Sequence, residues 1–397
     1  MLKFSLKHMV IRLGKHILTA VSLIITLIVS LLAYNISNQV KDGIVGSYKY
    51  YDTILGPSGS QTQLVLNTLF YTDKPLGLIG YDEYEKIAGD SRVAVAIPFA
   101  EGDNYNNARI IGTEAKYLDE FTISQGAAFD GEYEAVIGFN IAKSKGLKLG
   151  DTFYSVHGLT TDVNSHSHTG ENEQYTVAGI LAKTNTATDN VIFTDINSVW
   201  ESHGLGHDDH DDDDCDDEHG EKGVTAVLIR CTSLSAQMSL AGEYNKTAGM
   251  QAVNPSVVMR ALMNNVDVTK NIVYVLCAVI LTMNLFIISV ITMLNMYDVK
   301  KDVELLRLIG VSKGRIEAVV YVQNLIMLCV SILFGLGISR FLMAVVDTVT
   351  RSMGIVLDTA KFYGLEAAIA SGIVLTAFLP VFIAVKKIFA GRIIDEK

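Results

Sequence analysis

The chain has 397 residues, a mean hydropathy of +0.31 and a formal net charge of −11, figures that rarely coexist in a soluble protein. Residues 35–270 hold 34 Asp/Glu against 16 Lys/Arg, and the remainder holds 9 against 16, so an acidic, water-compatible block lies between basic, apolar flanks. That asymmetry belongs to a membrane protein with a large outer domain; it leaves no basic face for nucleic acid, and 5 Pro and 4 Cys exclude collagen-like and disulfide-scaffold classes.

In chain order, the N-terminus 1–16 is basic, with Lys3, Lys7, Arg12 and Lys15. A bilayer crossing needs about 20 apolar residues. The first such stretch is 17–36, too long for a secretory signal and without a small-x-small cleavage site at Leu32–Asn35, so it reads as a retained anchor. Residues 37–271 form the acidic block. Further spans follow at 272–294, 316–339 and 364–385, separated by a basic connection 295–315 and a charge-balanced one at 340–363, with a basic tail 386–397. The three basic segments share one side, which the positive-inside rule makes cytoplasmic; the acidic block and 340–363 are then outside. The fold class this implies is an α-helical four-span bundle with a large α+β extracytoplasmic domain between spans 1 and 2.

Within the spans, full charges occur only at Glu317 and Glu366, near span starts where water reaches, and Asn284, Gln323 and Asn324 are uncharged. No ion relay is legible, which argues against a channel or ion-coupled carrier. Small residues recur every fourth position at Ser331, Gly335 and Ser339, and at Gly364, Ala368, Gly372 and Thr376, a spacing that permits close helix packing.

In the outer block, 37–50 and 256–271 extend the neighbouring spans as stalk helices. Period-two alternation predicts a strand over Tyr175–Leu181, with shorter strands at Ile110–Ile111, Ala135–Ile137, Thr152–Val156 and Val224–Ile229. Asn140 suits the cap of a short helix ended by Gly146, and Gly150–Asp151 a turn.

Seven of nine His lie in this block: His157, His166, His168, His203, His207, His210 and His219. Residues 201–221 form a His/Asp-rich insertion with nine acids between 203 and 219. A solvated acidic loop explains the acids but not four His in seventeen residues. Imidazole and thiolate are zinc-type ligands, so His166, His168, His203, His207, His210, Cys215 and His219 are the candidate metal set, with calcium binding or pH sensing as alternatives. Cys215 could instead pair with Cys231. No cofactor is required, and no catalytic Ser/His/Asp or Cys/His order stands out, so enzymatic activity is not expected.

In the 295–315 connection, Val299, Val303 and Leu306 fall at i, i+4 and i+7 beside Lys300, Lys301, Asp302 and Arg307, which predicts a short amphipathic helix over 297–311 at the inner membrane surface. Gly310 suits its C-cap and Ser312 the next N-cap. A generic membrane-lipid-facing connector has the same periodicity.

Two stretches resemble the FtsX-like and MacB-like ABC transporter permeases. One is Gly112–Leu118, Glu134–Gly138, Ala142–Lys143, Gly146–Asp151, Tyr175–Ile180 and Asp189–Phe193, similar in order and spacing to the family's extracytoplasmic core domain. The other is the coupling loop, matched at Lys300, Lys301, Leu305, Leu306, Arg307, Gly310 and Ser312; Asp302 replaces the usual Glu and Glu304 the usual Gly. The resemblance implies a permease subunit in a bacterial cytoplasmic membrane, both termini inside. Its Val299–Gly310 segment would dock a separate ABC ATPase, and two such subunits, identical or related, would pair. The chain has no G-x-x-x-x-G-K-[ST] phosphate loop, so ATP hydrolysis is expected in that partner. ATP-driven motion would then reach the outer domain, for mechanotransmission or export, acting on an extracytoplasmic protein or lipoprotein. The rival expectations are an FtsX-like regulator of a cell-wall hydrolase and a metal-sensing membrane receptor.

Overall fold

The structure, a computed structural model, describes residues 13–159, 174–203, 222–308, 310–351 and 356–390. Its elements begin with helix α1 (Leu13–Tyr48), strand β1 (Thr53–Pro57), α2 (Gln61–Phe70), β2 (Ile79–Gly80), α3 (Tyr81–Ala88), β3 (Val93–Tyr105) and β4 (Ala108–Thr113). After a 3-10 turn come β5 (Ile123–Gly126), β6 (Glu134–Ile137), α4 (Phe139–Lys145), β7 (Thr152–Tyr154), β8 (Val156–His157) and β9 (Gln174–Leu181). A second 3-10 turn leads to β10 (Ile192–Asp195), α5 (Ile196–Ser202), β11 (Gly223–Val224), β12 (Ala226–Cys231), α6 (Leu234–Tyr244) and β13 (Met250–Val253). Helices α7 (Pro255–Leu308), α8 (Lys313–Thr350) and α9 (Gly364–Ala390) complete the chain.

Two compact units result. One comprises Met1–Asn38, Asn265–Val346 and Asp358–Lys397; the other comprises Gln39–Asn264 and Asp347–Leu357. Among the described residues, four helices are long and apolar enough to cross a membrane, over His16–Tyr48, Asn271–Val290, Lys313–Thr350 and Gly364–Ile383. Their unit packs Leu23, Leu27, Ile288, Met327, Leu328, Ile373 and Ala377 together. Gly335 lets α8 approach α1: a Cβ there would lie 2.9 Å from Leu27 Cβ. Ser331 and Ser339 are buried with it, so that small-residue stripe serves packing. The other stripe behaves differently, since Gly364, Ala368 and Gly372 are exposed in this single chain.

The second unit is built on a mixed sheet, in order β13-β1-β12-β3-β4-β10-β6-β9-β5, with β7 beside β9 and β8 beside β3. The pairs β4–β10 and β6–β9 are parallel and the remaining ladders antiparallel. Strand alternation buries both faces. Leu55, Ile110, Ala135, Ile137, Ile192, Val227 and Ile229 point to one side, under α3–α6. Ile54, Ile111, Val136, Phe193, Ala226 and Leu228 point to the other, where Leu64, Val65 and Leu69 of α2 and Val258 and Met259 of α7 close the core.

The strands expected at 110–111, 135–137 and 175–181 are present, each somewhat longer. The segments 152–156 and 224–229 are each split in two. Asn140 is not a cap: helix α4 begins after Gly138, where a Cβ would meet the Thr188 and Asp189 carbonyl oxygens at 2.5 Å, and Asn140 Nδ2 instead donates to Asn190 Oδ1 at 3.0 Å. The larger departure concerns 297–308. It is not a separate short helix but the end of α7, which runs for 54 residues without Gly and with its only Pro, Pro255, at the first position. Asn254 caps its start, its Oδ1 accepting from Ser256 N at 2.9 Å, and nothing in the sequence interrupts the i to i−4 ladder until Gly310, whose φ is +85°.

Candidate functional site

Strand β3 carries a bulge between Glu101 and Asp103, after which Asp103 pairs directly with His157 on β8 and Asn104 with Val156. Directly opposed residues of an antiparallel pair lie on one face. The junction is locked by Gly158 N donating to the Gly102 carbonyl at 2.7 Å and by Asn104 Nδ2 donating to the Val156 and Gly158 carbonyls at 3.2 and 2.8 Å. Helix α5 is anchored by Ile196, Val199 and Trp200 in the core and ends at His203, whose N donates to the Trp200 carbonyl. Gly102 makes room for that imidazole: a Cβ there would stand 2.5 Å from His203 Nε2.

The outcome is a carboxylate held from both sides. Ser202 and Ser155 hydroxyls donate to Asp103 Oδ2 at 3.0 and 3.4 Å. His203 Nε2 lies 3.2 Å and His157 Nδ1 3.9 Å from Oδ1. One ligand atom from each of Asp103, His157 and His203 falls within 4.8 Å of the others, the one such cluster of three His, Cys or acidic groups among the described residues. Two residues before Asp103, Glu101 is also buried; its Oε2 accepts from Arg109 Nη1 at 3.1 Å and Asn67 Nδ2 at 3.0 Å. Burial pushes its carboxyl up to about 7 against the lowering pull of both partners.

Of the expected metal ligands, His203 is at this cluster. His166, His168, His207, His210, Cys215 and His219 lie outside the described residues. Trp200 Nε1 donates to the Gly223 carbonyl at 3.0 Å, so the chain leaving at His203 and returning at Lys222 is pinned at its base. Cys231 carries a thiol that burial, then the Asp52 carboxylate, pushes up to about 11. Asp103 and His157 were not in the expected ligand set. The signal available was an acid after glycine ending the apolar run 93–100, and a His closing a short strand, but their juxtaposition across 54 residues is tertiary. Of the coupling residues, Val299, Lys300, Lys301, Asp302, Val303, Leu306 and Arg307 lie on the last turns of α7, and Gly310 follows its end.

The chain is similar to the periplasmic region of MacB from Actinobacillus actinomycetemcomitans, at 12% identity over 57% of this chain and 98% of that one, with a TM-score of 0.35. It is also similar to the extracellular domain of the noncanonic ABC-type transporter YknZ from Gram-positive bacteria, at 15% identity over 51% of this chain and 100% of that one, with a TM-score of 0.31. No family model matches the chain, and no curated protein matches it.

Proposed function

We propose that this chain is the membrane subunit of an ATP-driven transport system of the ABC type. It passes motion from a separate cytoplasmic ATPase to its outer unit instead of conducting a solute through itself. The observation that carries this reading is the continuity of α7. One helix of 54 residues begins in the outer core at Val258 and Met259, includes the apolar stretch Asn271–Val290 and ends in the basic segment around Arg307. At 1.5 Å per residue that is roughly 80 Å of unbroken hydrogen-bonded backbone, a direct route for a displacement. These 397 residues contain no G-x-x-x-x-G-K-[ST] phosphate loop, which supports the proposal that hydrolysis takes place on a separate ATPase. Two subunits are expected to pair, and the exposed Gly364, Ala368 and Gly372 stripe gives a second helix room to approach.

Leu306→Asp places a charge on the apolar stripe that would dock the ATPase. The variant should insert normally and lose co-purification with the ATPase. Retained association with unchanged ATP hydrolysis would overturn the docking assignment.

Orientation is tested separately. Asp347–Leu357 belongs to the same compact unit as Gln39–Asn264, which supports placing the connection between α8 and α9 on the side of the outer domain. In a background lacking Cys215 and Cys231, Ser60→Cys should react with a membrane-impermeant thiol reagent from outside intact cells. Ser312→Cys should react only after permeabilisation. Both positions are exposed, so the reverse pattern would invert the topology.

The outer unit adds a task to this scheme. Its His/Asp run, residues 203–219, is proposed to take up zinc or a similar ion, as ligand-rich chain with redundant donors does, at modest affinity and more than one ion per chain.

A further inference from the structure

The Asp103 side chain is 0% exposed, and a buried carboxylate is costly unless it is paired or coordinated. His203 Nε2 stands 3.2 Å from Oδ1. A second imidazole converges on the same oxygen, from a strand register that sets His157 directly opposite. The two rings meet edge to face, with centroids 4.7 Å apart. Both reach the surface, His157 at 59% and His203 at 23% exposure, so an ion could enter.

We propose that Asp103 Oδ1, His157 Nδ1 and His203 Nε2 bind one zinc ion, or an ion of the same borderline class, leaving the fourth position to water. Ligand bonds of about 2.0–2.2 Å in a tetrahedron set neighbouring ligand atoms about 3.4 Å apart. The two distances to Oδ1, 3.2 and 3.9 Å, bracket that value, and a small rotation of the exposed His157 closes the difference. The Ser155 and Ser202 hydroxyls on Oδ2 aim the other oxygen at the ion, as outer-shell partners of metal ligands do. Two imidazoles with one carboxylate favour zinc and its neighbours over calcium or magnesium, which seek oxygen ligands.

The inference takes its class of ion from the metal uptake proposed for the His/Asp run, but of that run it uses only the first residue, His203. The site is built from strands and a helix end, so its ligands are pre-organised. In the sequence, His166 and His168 follow His157 by nine and eleven residues, and His203 is the first residue of the His/Asp run.

Zinc binding is measured on the full chain in detergent by competition with a chromophoric chelator, and Co2+ is used as an absorbing substitute. In one variant 204–221 is replaced by a short Gly/Ser linker, which the Trp200–Gly223 bond at its base should tolerate. That variant should still bind one zinc per chain, and its Co2+ form should show the intense visible bands of tetrahedral coordination. In its background, Asp103→Asn and His157→Gln should each weaken zinc binding by at least about tenfold, and Gly102→Ala should do so by displacing His203. His157→Gln changes an exposed side chain, so failure to fold would not obscure the result.

If the linker variant binds no zinc while the full chain does, the ion belongs to the run and this site is wrong. If the linker variant and the full chain bind one zinc alike, the run is idle and the site stands. Calcium binding more tightly than zinc, or unchanged zinc affinity in Asp103→Asn and His157→Gln, would also overturn the assignment.

Discussion

Arg109→Met lowers the stability of the outer unit by about 3–5 kcal/mol, the usual loss when one partner of a buried ion pair is removed. The Glu101 carboxylate is buried, with Arg109 Nη1 and Asn67 Nδ2 as its charged and polar partners, and Arg109 also donates to the Asp73 carbonyl. Methionine keeps most of the aliphatic stem and deletes the charge, so the carboxylate is left with one amide donor in an apolar setting. The second substitution, Glu101→Gln, removes the stranded charge and should restore at least half of the loss in the double variant.

Trp200 makes this measurable in the intact chain. It is the one tryptophan in the sequence, and it is buried in the outer unit against Tyr81, so its fluorescence melt reports on that unit alone. At this domain size the single variant should melt roughly 10 °C lower. A shift below about 2 °C, or a double variant no better than the single, would show that the pair contributes nothing net.

The pair also shows which parts of this fold were legible in the sequence. Apolar length marked the four helices, because a membrane-crossing helix must be apolar throughout and needs no partner to be recognised. Period-two alternation marked Tyr175–Leu181, whereas 110–111 and 135–137 were marked as short apolar runs set among Gly, Asp and Asn, as strands buried on both faces are. Strand β3 was not legible. It runs through Pro98 and then Glu101-Gly102-Asp103-Asn104, residues that in isolation read as a polar turn. Its second half is held by β4 and β8 and by the Arg109 and Asn67 contacts with Glu101, none of which is local.

Asp103 was hidden for the same reason. His203 was visible only because it opens a conspicuous run, and its partner His157 lacked a local pattern. The helical period at 297–308 was correctly read, but its extent was not: an amphipathic stretch following an apolar one looks like two elements, whereas the backbone needs only the absence of a breaker to continue.

In the other unit, a charge expected to be in reach of water is enclosed. Glu366, in the first turn of α9, is 5% exposed in its side chain and paired with Arg340 of α8. Its other oxygen, Oε1, accepts from Tyr363 N at 2.9 Å, satisfying a backbone donor just ahead of the helix, where the helix dipole also favours negative charge. Arg340 in turn donates to the Lys361 carbonyl at 2.9 Å, and its guanidinium lies 4.0 Å from the centroid of the Phe362 ring. One side chain therefore ties α8, ten residues before its end, to the segment that starts α9. Arg340→Leu would leave Glu366 buried without its cation and the Lys361 and Thr359 carbonyls without this donor, and should cost about 3–5 kcal/mol. The double variant Arg340→Leu/Glu366→Gln should recover much of it, because the amide still accepts from Tyr363 N and carries no charge. The measurement is the temperature at which half of the detergent-solubilised chain remains monodisperse, taken beside the Trp200 melt. The single variant should lower the first and leave the second unchanged, because the tryptophan lies in the other unit. Equal falls in both readings would mean that the substitution acts on the whole chain, and no fall in either would mean that Glu366 is solvated after all.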